Sequence, residues 1–487
     1  MSPFLEKQYH LLDDVVDMAR RGGKYYSFYG WSWLQDRQFK KRSYTELKAQ
    51  QWQKFQRLIA NAVEQIPFYK ERFRAAGISP SQIKSETDLQ RIPILTREDI
   101  RANYPDRIVK PNLNISPNDL GRSSGSTGSS VPFVRSKSWK RNNYYSLLMH
   151  QRWLGNPLTA CLQTPQCSSS GCSVDNIDMR LEDHLRKLLV RSRLNPYFYL
   201  PTSANILGED DSYFEQLLRI LNRYRPTSFF GDPVYIGALA RYMVHNNIHF
   251  PLKFIITTSE LLTETNRQFL QEAFQCDVYN HYACSEIQGV ADECEHHNLH
   301  VRMDTVLLEV LKDGRPAKPG ERGEVIITDF ENTTMPFIRY AVGDIATVGE
   351  ADCTCGRKTQ TLKRIEGRSK DFIKNEHNTW MGPHDIDQLF ANIMDVDHYQ
   401  FVKTNGGIRI KLQSRNRIAD DTMDLIRHRT SRYFDSGKPI KIRQVRTIRP
   451  EPSNKYRFAY TEVQTASEKH SSNLMQNQHS DAFQLAG

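Results

Sequence analysis

Cysteine is scarce. Eight in 487 residues are too few for a disulfide scaffold, and a reduced, cytoplasmic protein is the expectation. Long apolar runs are missing as well. No stretch of about 18 apolar residues occurs, so no membrane-spanning helix is expected. The start, Met-Ser-Pro-Phe-Leu-Glu-Lys-Gln, lacks the apolar centre of a signal peptide. There is no internal repeat. Acidic residues are outnumbered, 56 against 66 basic, which leaves a formal charge of +10. The excess is local: residues 401–463 hold fifteen Lys and Arg, from Lys403 to Arg457, against six Asp and Glu. That segment reads either as a solvated basic face or as a docking surface for an anion. What remains is ordinary for a soluble globular chain, 39% hydrophobic and 25% charged, and the length suits two to four domains at ~100–200 residues each.

Residues 1–100 read mainly as helix. Thr45 to Val63 contains no Gly or Pro, and Ser85 with Asp88 three residues on resembles a capped helix start. Residues 121–130 are a Gly/Ser/Thr cluster too polar for a core element. Residues 139–154 are helical in pattern, and 161–175 read as a Cys/Ser-rich loop. Strand and helix then alternate: Ser228-Phe-Phe, a helix from Val234 to His245, Phe254-Ile-Ile, a helix from Glu264 to Phe274, and Cys276-Asp-Val-Tyr. This order argues for an α/β protein with a parallel sheet, its functional residues at the carboxyl ends of strands. Residues 299–348 are β-rich, with turns at Asp313-Gly314 and Pro319-Gly320. After Gly367 the pattern predicts a small α+β unit: a helix over 383–394, strands at 399–404 and 408–412, a helix over 418–434 and a strand near 440–446. The domain expectation is 1–366, then 367–464, then a polar disordered tail over 465–487.

Ser123-Ser124-Gly125-Ser126-Thr127-Gly128-Ser129 is the strongest local signal. Glycines let backbone N–H groups close on an anion, and hydroxyls donate to phosphate oxygens. It is not a Walker loop, because no Gly-Lys-Ser/Thr follows. Four further motifs accompany it: Tyr282-Ala283-Cys284-Ser285-Glu286, Arg339-Tyr340-Ala341-Val342-Gly343-Asp344, Gly367-Arg368-Ser369-Lys370-Asp371, and Ser453-Asn454-Lys455-Tyr456-Arg457. Each is weak singly. Five in this order and at these intervals are specific.

Together they resemble the adenylate-forming superfamily of acyl-CoA synthetases. The closer resemblance is to its phenylacetate–CoA ligase branch, including the capsular-polysaccharide-type relatives, through Ile66-Pro67-Phe68-Tyr69, Ala76-Gly77-Ile78 and Ile92-Pro93-Ile94-Leu95-Thr96. It runs from about Gln50 to Tyr460 and leaves the first ~45 residues and the tail uncovered. The resemblance implies a large N-terminal adenylate-forming domain of mixed sheets and helices, followed by a small mobile α+β domain. It implies ATP and Mg²⁺ as cofactors, a small carboxylic acid as substrate, and CoA, an acyl-carrier protein or an amine as acceptor. Transfer to a hydroxyl, or nucleotidyl transfer to a small metabolite, is the alternative. An oligomer is compatible with it, and no nucleic acid is expected as partner. A nucleic-acid binder, suggested by charge and by the aromatics interleaved with basic residues at 24–42, is disfavoured by intact Glu286, Asp344, Arg368 and Lys455.

Residue by residue, the resemblance places Ser123 to Gly128 around the pyrophosphate and Ser259-Glu260 near adenine, and sets Tyr282 in the nucleotide site. Ser285 falls on the α-phosphate, Glu286 on Mg²⁺, Asp344 on the ribose hydroxyls, and Arg368 at ribose or phosphate. Lys370 becomes the hinge residue and Lys455 the catalytic lysine. Three positions depart from the pattern: Ser129 for Lys, with Arg135 or Lys137 as substitutes, Ala283 for Gly, and Asn454 for Gly. Acyl-pocket candidates are Tyr144, Tyr145, Phe229, Phe230 and His281. Cys294, His300, Cys353 and Cys355 suit a structural Zn²⁺, since thiolates and imidazole in fours match its tetrahedral preference. His296 and His297 are alternative ligands, and relatives with the same arrangement hold zinc.

Overall fold

The computed structural model describes residues 41–123, 130–155, 161–163, 197–200, 203, 205–434, 437–451 and 455–462. The phosphate-loop positions Ser124 to Gly128, Asn454, the side chains of Tyr144 and Tyr145, the first forty residues and the expected tail lie outside them.

Local sequence starts the helices. Ser43 Oγ accepts from Glu46 N while Glu46 Oε2 accepts from Ser43 N at 2.7 Å, and this reciprocal cap opens the helix Tyr44–Gln65. One face of it, carrying Leu47, Phe55, Leu58, Ile59 and Ala62, is buried. Asp88 caps the next turn as expected, accepting from Ser85 N at 2.9 Å, but residues 86–91 form a 3₁₀ stretch. Pro93 ends it, because it holds Ile92 in extended backbone.

The first strands, β1 (Leu120–Arg122) and β2 (Pro132–Val134), pair as an antiparallel hairpin around the polar loop. Next come β3 (Cys161–Gln163), β4 (Tyr197–Tyr199), β5 (Ser228–Gly231), β6 (Phe254–Thr257) and β7 (Asp277–Cys284), all parallel in the order β4-β3-β5-β6-β7. The segment 161–163 read as loop is thus a strand, and 164–175 lies outside the described residues. β5 and β6 are fully buried, which fits their continuous apolar sequence.

From β7 onward the parallel expectation fails. β8 (Gln288–Glu293), β9 (Leu299–Val301), β10 (Val306–Lys312), β11 (Arg315–Pro316), β12 (Arg322–Asp329), β13 (Tyr340–Val348) and β14 (Thr361–Arg368) extend the same sheet antiparallel, giving twelve strands in one mixed sheet. The reason is connection length: three residues join β7 to β8, and a parallel crossover needs a dozen or more. β7 is therefore the seam between a parallel and an antiparallel half.

Beyond it, β15 (Ile373–Lys374) and β16 (Trp380–Met381) make a short ladder. The helix predicted over 383–394 covers only Pro383–Asp387 and a 3₁₀ turn to Phe390, and Asn392 then adopts a left-handed φ of 62°. β17 (His398–Thr404), β18 (Gly407–Gln413), β19 (Ile440–Val445) and β20 (Ala459–Thr461) form a separate sheet in the order β19-β18-β17-β20, with the helix Asp420–Ser431 packed on it. This is the α+β pattern read from sequence. It is not set apart from the rest: one apolar core joins Phe214, Leu239 and Phe269 to Ile386, Phe390 and Phe401.

Candidate active site and metal centre

The carboxyl ends of β6 and β7 face β14 and the returning chain at 451–458 across a cleft of about 100 Å³. This is where an open α/β sheet places its ligands. Cross-strand pairing sets Asp344 of β13 opposite Arg368 of β14, and their side chains meet at 3.0 Å (Oδ1 to Nε). Tyr282 Oη donates to the other Asp344 oxygen at 2.7 Å. Burial and then Asp344 push the Tyr282 hydroxyl well above its usual value, so it remains a donor. Burial works against the charge of Arg368, but Asp344, Tyr282, Glu286 and Tyr340 together outweigh it and raise the guanidinium above its usual value. Three residues from three motifs thus form one buried hydrogen-bonded set.

Lys455 enters the same cleft from the far end of the chain. Its ammonium donates to the carbonyl of Ser259 at 2.8 Å and lies 3.7 Å from Glu260 Oε1. Ser259 has a left-handed φ of 77°, which turns that carbonyl out of the strand direction. Burial raises the Glu260 carboxyl to about 8, with Lys455 offsetting only part of the rise. Lys370 also lines the cleft, 3.9 Å from Glu451, and burial lowers its ammonium. Arg457 Nε donates to Asp371 at 2.7 Å, and Nη2 donates to the Lys370 carbonyl at 2.9 Å. These contacts tie the motif at 367 to the motif at 455.

Glu286 and Ser285 sit on the β7–β8 turn. Glu286 is buried, accepts from Tyr340 Oη at 3.0 Å, and its backbone carbonyl accepts from Trp139 Nε1 at 2.8 Å. A buried carboxylate held this way fits a hard cation. Ser285 is exposed on the turn and available to a ligand. Ser123 differs from expectation. It is buried, and its Oγ accepts from Val131 N at 2.8 Å while its own N–H donates to the Val131 carbonyl. It closes the base of the hairpin, and because its Oγ only accepts there, its O–H can still donate to a phosphate. Arg135 lies over the rings of Phe133 and Trp139. Phe229 is core, whereas Phe230 faces His281 with ring centroids 6.0 Å apart.

The second cluster joins residues distant in sequence. Cys294 Sγ lies 3.7 Å from Cys353 Sγ, and Cys355 Sγ lies 3.2 Å from His300 Nε2. Two thiolates at ~2.3 Å from one tetrahedral zinc stand ~3.8 Å apart, whereas a disulfide holds its sulfurs at ~2.05 Å. Burial drives the His300 imidazole down to about 4, with Arg357 adding to it, so the ring is neutral as a ligand must be. Its Nδ1 meets Thr359 Oγ1 at 2.8 Å, which aims Nε2 at the sulfurs. Burial pushes the Cys294 thiol up to about 12, and a bound cation would reverse that. The donor set fits zinc. Between the alternatives the geometry selects His300: His297 turns away to Glu293 at 2.9 Å and stacks on Tyr279, and only the backbone of His296 meets Cys294.

Sequence reading missed the partners inside its own motifs. Tyr340, Asp371 and Arg457 lie in quoted segments and make the buried contacts above. It also missed His150 and Asp292, for which no local pattern exists.

This geometry has known counterparts. No family model matches the chain. A phenylacetate-coenzyme A ligase of Thermus thermophilus is 26% identical over 379 residues, covering 74% of this chain and 79% of that protein. Protein CapK of Staphylococcus aureus is 25% identical over 427 residues, covering 86% and 89%. The crystal structure of a 2-hydroxyisobutyryl-CoA ligase in its postadenylation state superposes with a TM-score of 0.68 at 18% identity, over 91% of this chain and 94% of that one. The same ligase in its thioesterification state gives 0.56. The fold is that of adenylate-forming CoA ligases, and the sequence relatives support an AMP-forming ligase. Within that class the sequence is most like phenylacetate–CoA ligases and CapK, the likeness its motifs suggested.

Proposed function

We propose that the protein adenylates a carboxylic acid with ATP and then transfers the acyl group to the thiol of CoA. One observation carries this reading: the Lys455 ammonium stands at Ser259 and Glu260, in the cleft that holds Tyr282, Asp344 and Arg368. In the first step a carboxylate oxygen attacks the α-phosphorus, the bond to the β-phosphate bridging oxygen breaks, and pyrophosphate leaves. Lys455 steadies the negative charge moving between carboxylate and phosphate, and Asp344 accepts from the ribose hydroxyls. Residues 124–128 cradle the leaving phosphates. Bound Mg²⁺, held by Glu286, supplies charge neutralisation there. In the second step the thiol sulfur attacks the acyl carbon, the acyl–phosphate C–O bond breaks, AMP leaves, and the thiol proton passes to solvent.

Residues 367–464 act as the moving unit and Lys370 as its hinge. A structural zinc at Cys294, His300, Cys353 and Cys355 belongs to the same proposal. The test is pyrophosphate release across a carboxylic-acid panel, followed by product mass with CoA. A mass increase on CoA supports the reading. Turnover only with an amine or alcohol would move the protein to the amide- or ester-forming class, and no turnover with any acid would overturn adenylation itself.

A further inference from the structure

Behind the cleft lies a buried polar group that the reaction above does not use. His281, a cleft-lining residue of β7, has its Nδ1 2.6 Å from Asp292 Oδ1. Asp292 is fully buried and also meets Arg302 Nη1 at 3.5 Å and His150 Nδ1 at 3.3 Å. His150 in turn bonds through Nε2 to the Glu293 carbonyl at 2.8 Å. Two imidazoles and a carboxylate in this proximity also fit a metal, but the buried Arg302 guanidinium disfavours a second cation, and 2.6 Å is a hydrogen bond.

The hydrogen bond fixes the ring. The Asp292 carboxylate accepts, so His281 carries its proton on Nδ1 and leaves Nε2 as a bare acceptor. Among the described residues Nε2 has no partner. A second polar atom waits beside it. Ser146, on the helix Lys137–Trp153, is buried with no hydrogen-bond partner for its Oγ. Both crowd the same backbone point, Gly289, where an added Cβ would stand 1.8 Å from Ser146 Oγ and 3.0 Å from His281 Cε1. Only glycine allows the hydroxyl and the imidazole so near each other there. Around them the walls are apolar: Phe230 faces His281, and Leu147 joins the adjoining cluster of Phe254, Ile256 and Tyr279. The buried Ser146 hydroxyl, unpartnered among apolar neighbours, is costly unless a ligand satisfies it, and the bare His281 Nε2 can share that ligand.

We infer that His281, positioned by Asp292 and accompanied by Ser146, reads a hydroxyl on the acyl chain, so that the substrate acid is a hydroxy acid. The hydroxyl donates to Nε2 and accepts from Ser146 Oγ. This deepens the proposed function and rests on it, because it takes this region as the acyl site. A plain hydrocarbon acid would leave both atoms unpaired and bind about 5- to 150-fold more weakly.

The test uses matched pairs of acids, each a hydroxy acid and its deoxy counterpart, read by pyrophosphate release with the full-length protein. Wild type should favour the hydroxylated member of its preferred pair by that factor in kcat/KM. In His281→Phe and in Ser146→Ala the ratio should fall toward one. If His281→Phe does not fold, the binding of non-hydrolysable adenylate analogues of the same pair to wild type decides, with the hydroxylated one tighter by the same factor. Turnover that favours the deoxy member, or a ratio unchanged in both variants, overturns the inference while leaving adenylation standing. Absence of pyrophosphate release with every acid is the separate failure of the ligase reading.

Discussion

Lys455 and Glu260 show how single side chains set the chemistry. Lys455 is half of a pair whose other member, Glu260, is held largely protonated near neutrality by burial. Lys455→Ala should therefore cost most of the adenylation rate, ~10²–10³, while transfer from a preformed acyl-adenylate stays close to wild type. Equal losses in the two half-reactions, measured separately, would contradict the moving-unit proposal. Glu260 gives a sharper test of electrostatics. Its folded value, about 8, lies above the ordinary 4.5. Below the ordinary value both folded and unfolded forms hold the proton and nothing depends on it. Between the two values the unfolded chain gives up the proton and the folded chain keeps it, so stability falls as pH rises. Glu260→Gln should remove that slope. Its melting temperature should exceed wild type by a margin that grows from pH 5 to pH 8, and a constant or shrinking margin would show that Lys455 keeps Glu260 ionised.

At the scale of elements, the metal cluster bridges the β8–β9 turn and the loop between β13 and β14. One ion there would pin two segments of the antiparallel half. Purified protein should carry about one zinc per chain by elemental analysis, and Cys353→Ser with Cys355→Ser should lower the melting temperature before it affects nucleotide binding. Metal-free protein melting at the same temperature as metal-loaded protein would dismiss the site. The cluster also shows what sequence can convey. Cys-x-Cys is legible because its spacing is a chemical constraint, but the choice among His296, His297 and His300 depends on which way a turn faces, and only the packing of His297 on Tyr279 decides it. The same limit applies to Ser123, whose second task in closing the hairpin to Val131 no local pattern conveys. From Ser228 to β7 the strand and helix identities followed from apolar runs and turn signals, whereas β3 reads as loop and β4 carries no signal. The switch to antiparallel at β7 was also written in the sequence, as a connection too short to cross over. Asp292 was invisible: an acid beside Glu293 in a short strand gains meaning only once His150, His281 and Arg302 converge on it.

Charge acts at the scale of the whole molecule. The basic excess of the C-terminal segment does not sit where its helix suggested. Arg427 is neutralised by Asp424, and Arg429 donates to the carbonyls of Leu389 and Ala391. The exposed cations Lys438, Lys441, Arg443, Arg446 and Arg449 instead flank and follow the edge strand β19, with no ion-pair partner among the described residues. Charge on an edge strand also blocks edge-to-edge pairing, which is the competing account. If the edge attracts CoA, apparent CoA affinity should fall with salt more steeply than affinity for the acid, as the Debye length shrinks from ~10 Å at 0.1 M to ~3 Å at 1 M. Lys441→Glu with Arg443→Glu should reproduce part of that loss at low salt. Flat CoA kinetics in both experiments would leave the edge a purely anti-aggregation feature.

The return of the chain past residue 451 into the cleft has a consequence for the protein's biogenesis. Ribosomes deliver the amino end first, so the mixed sheet, the Asp344–Arg368 pair and the metal cluster are all available to assemble while Lys455 is still to be translated. A nascent chain, or one cut short by a late frameshift, would therefore hold the frame of the nucleotide site without the ammonium that completes it. On the proposed mechanism such a product would bind ATP without making adenylate, so activity would begin only once Lys455 has been added.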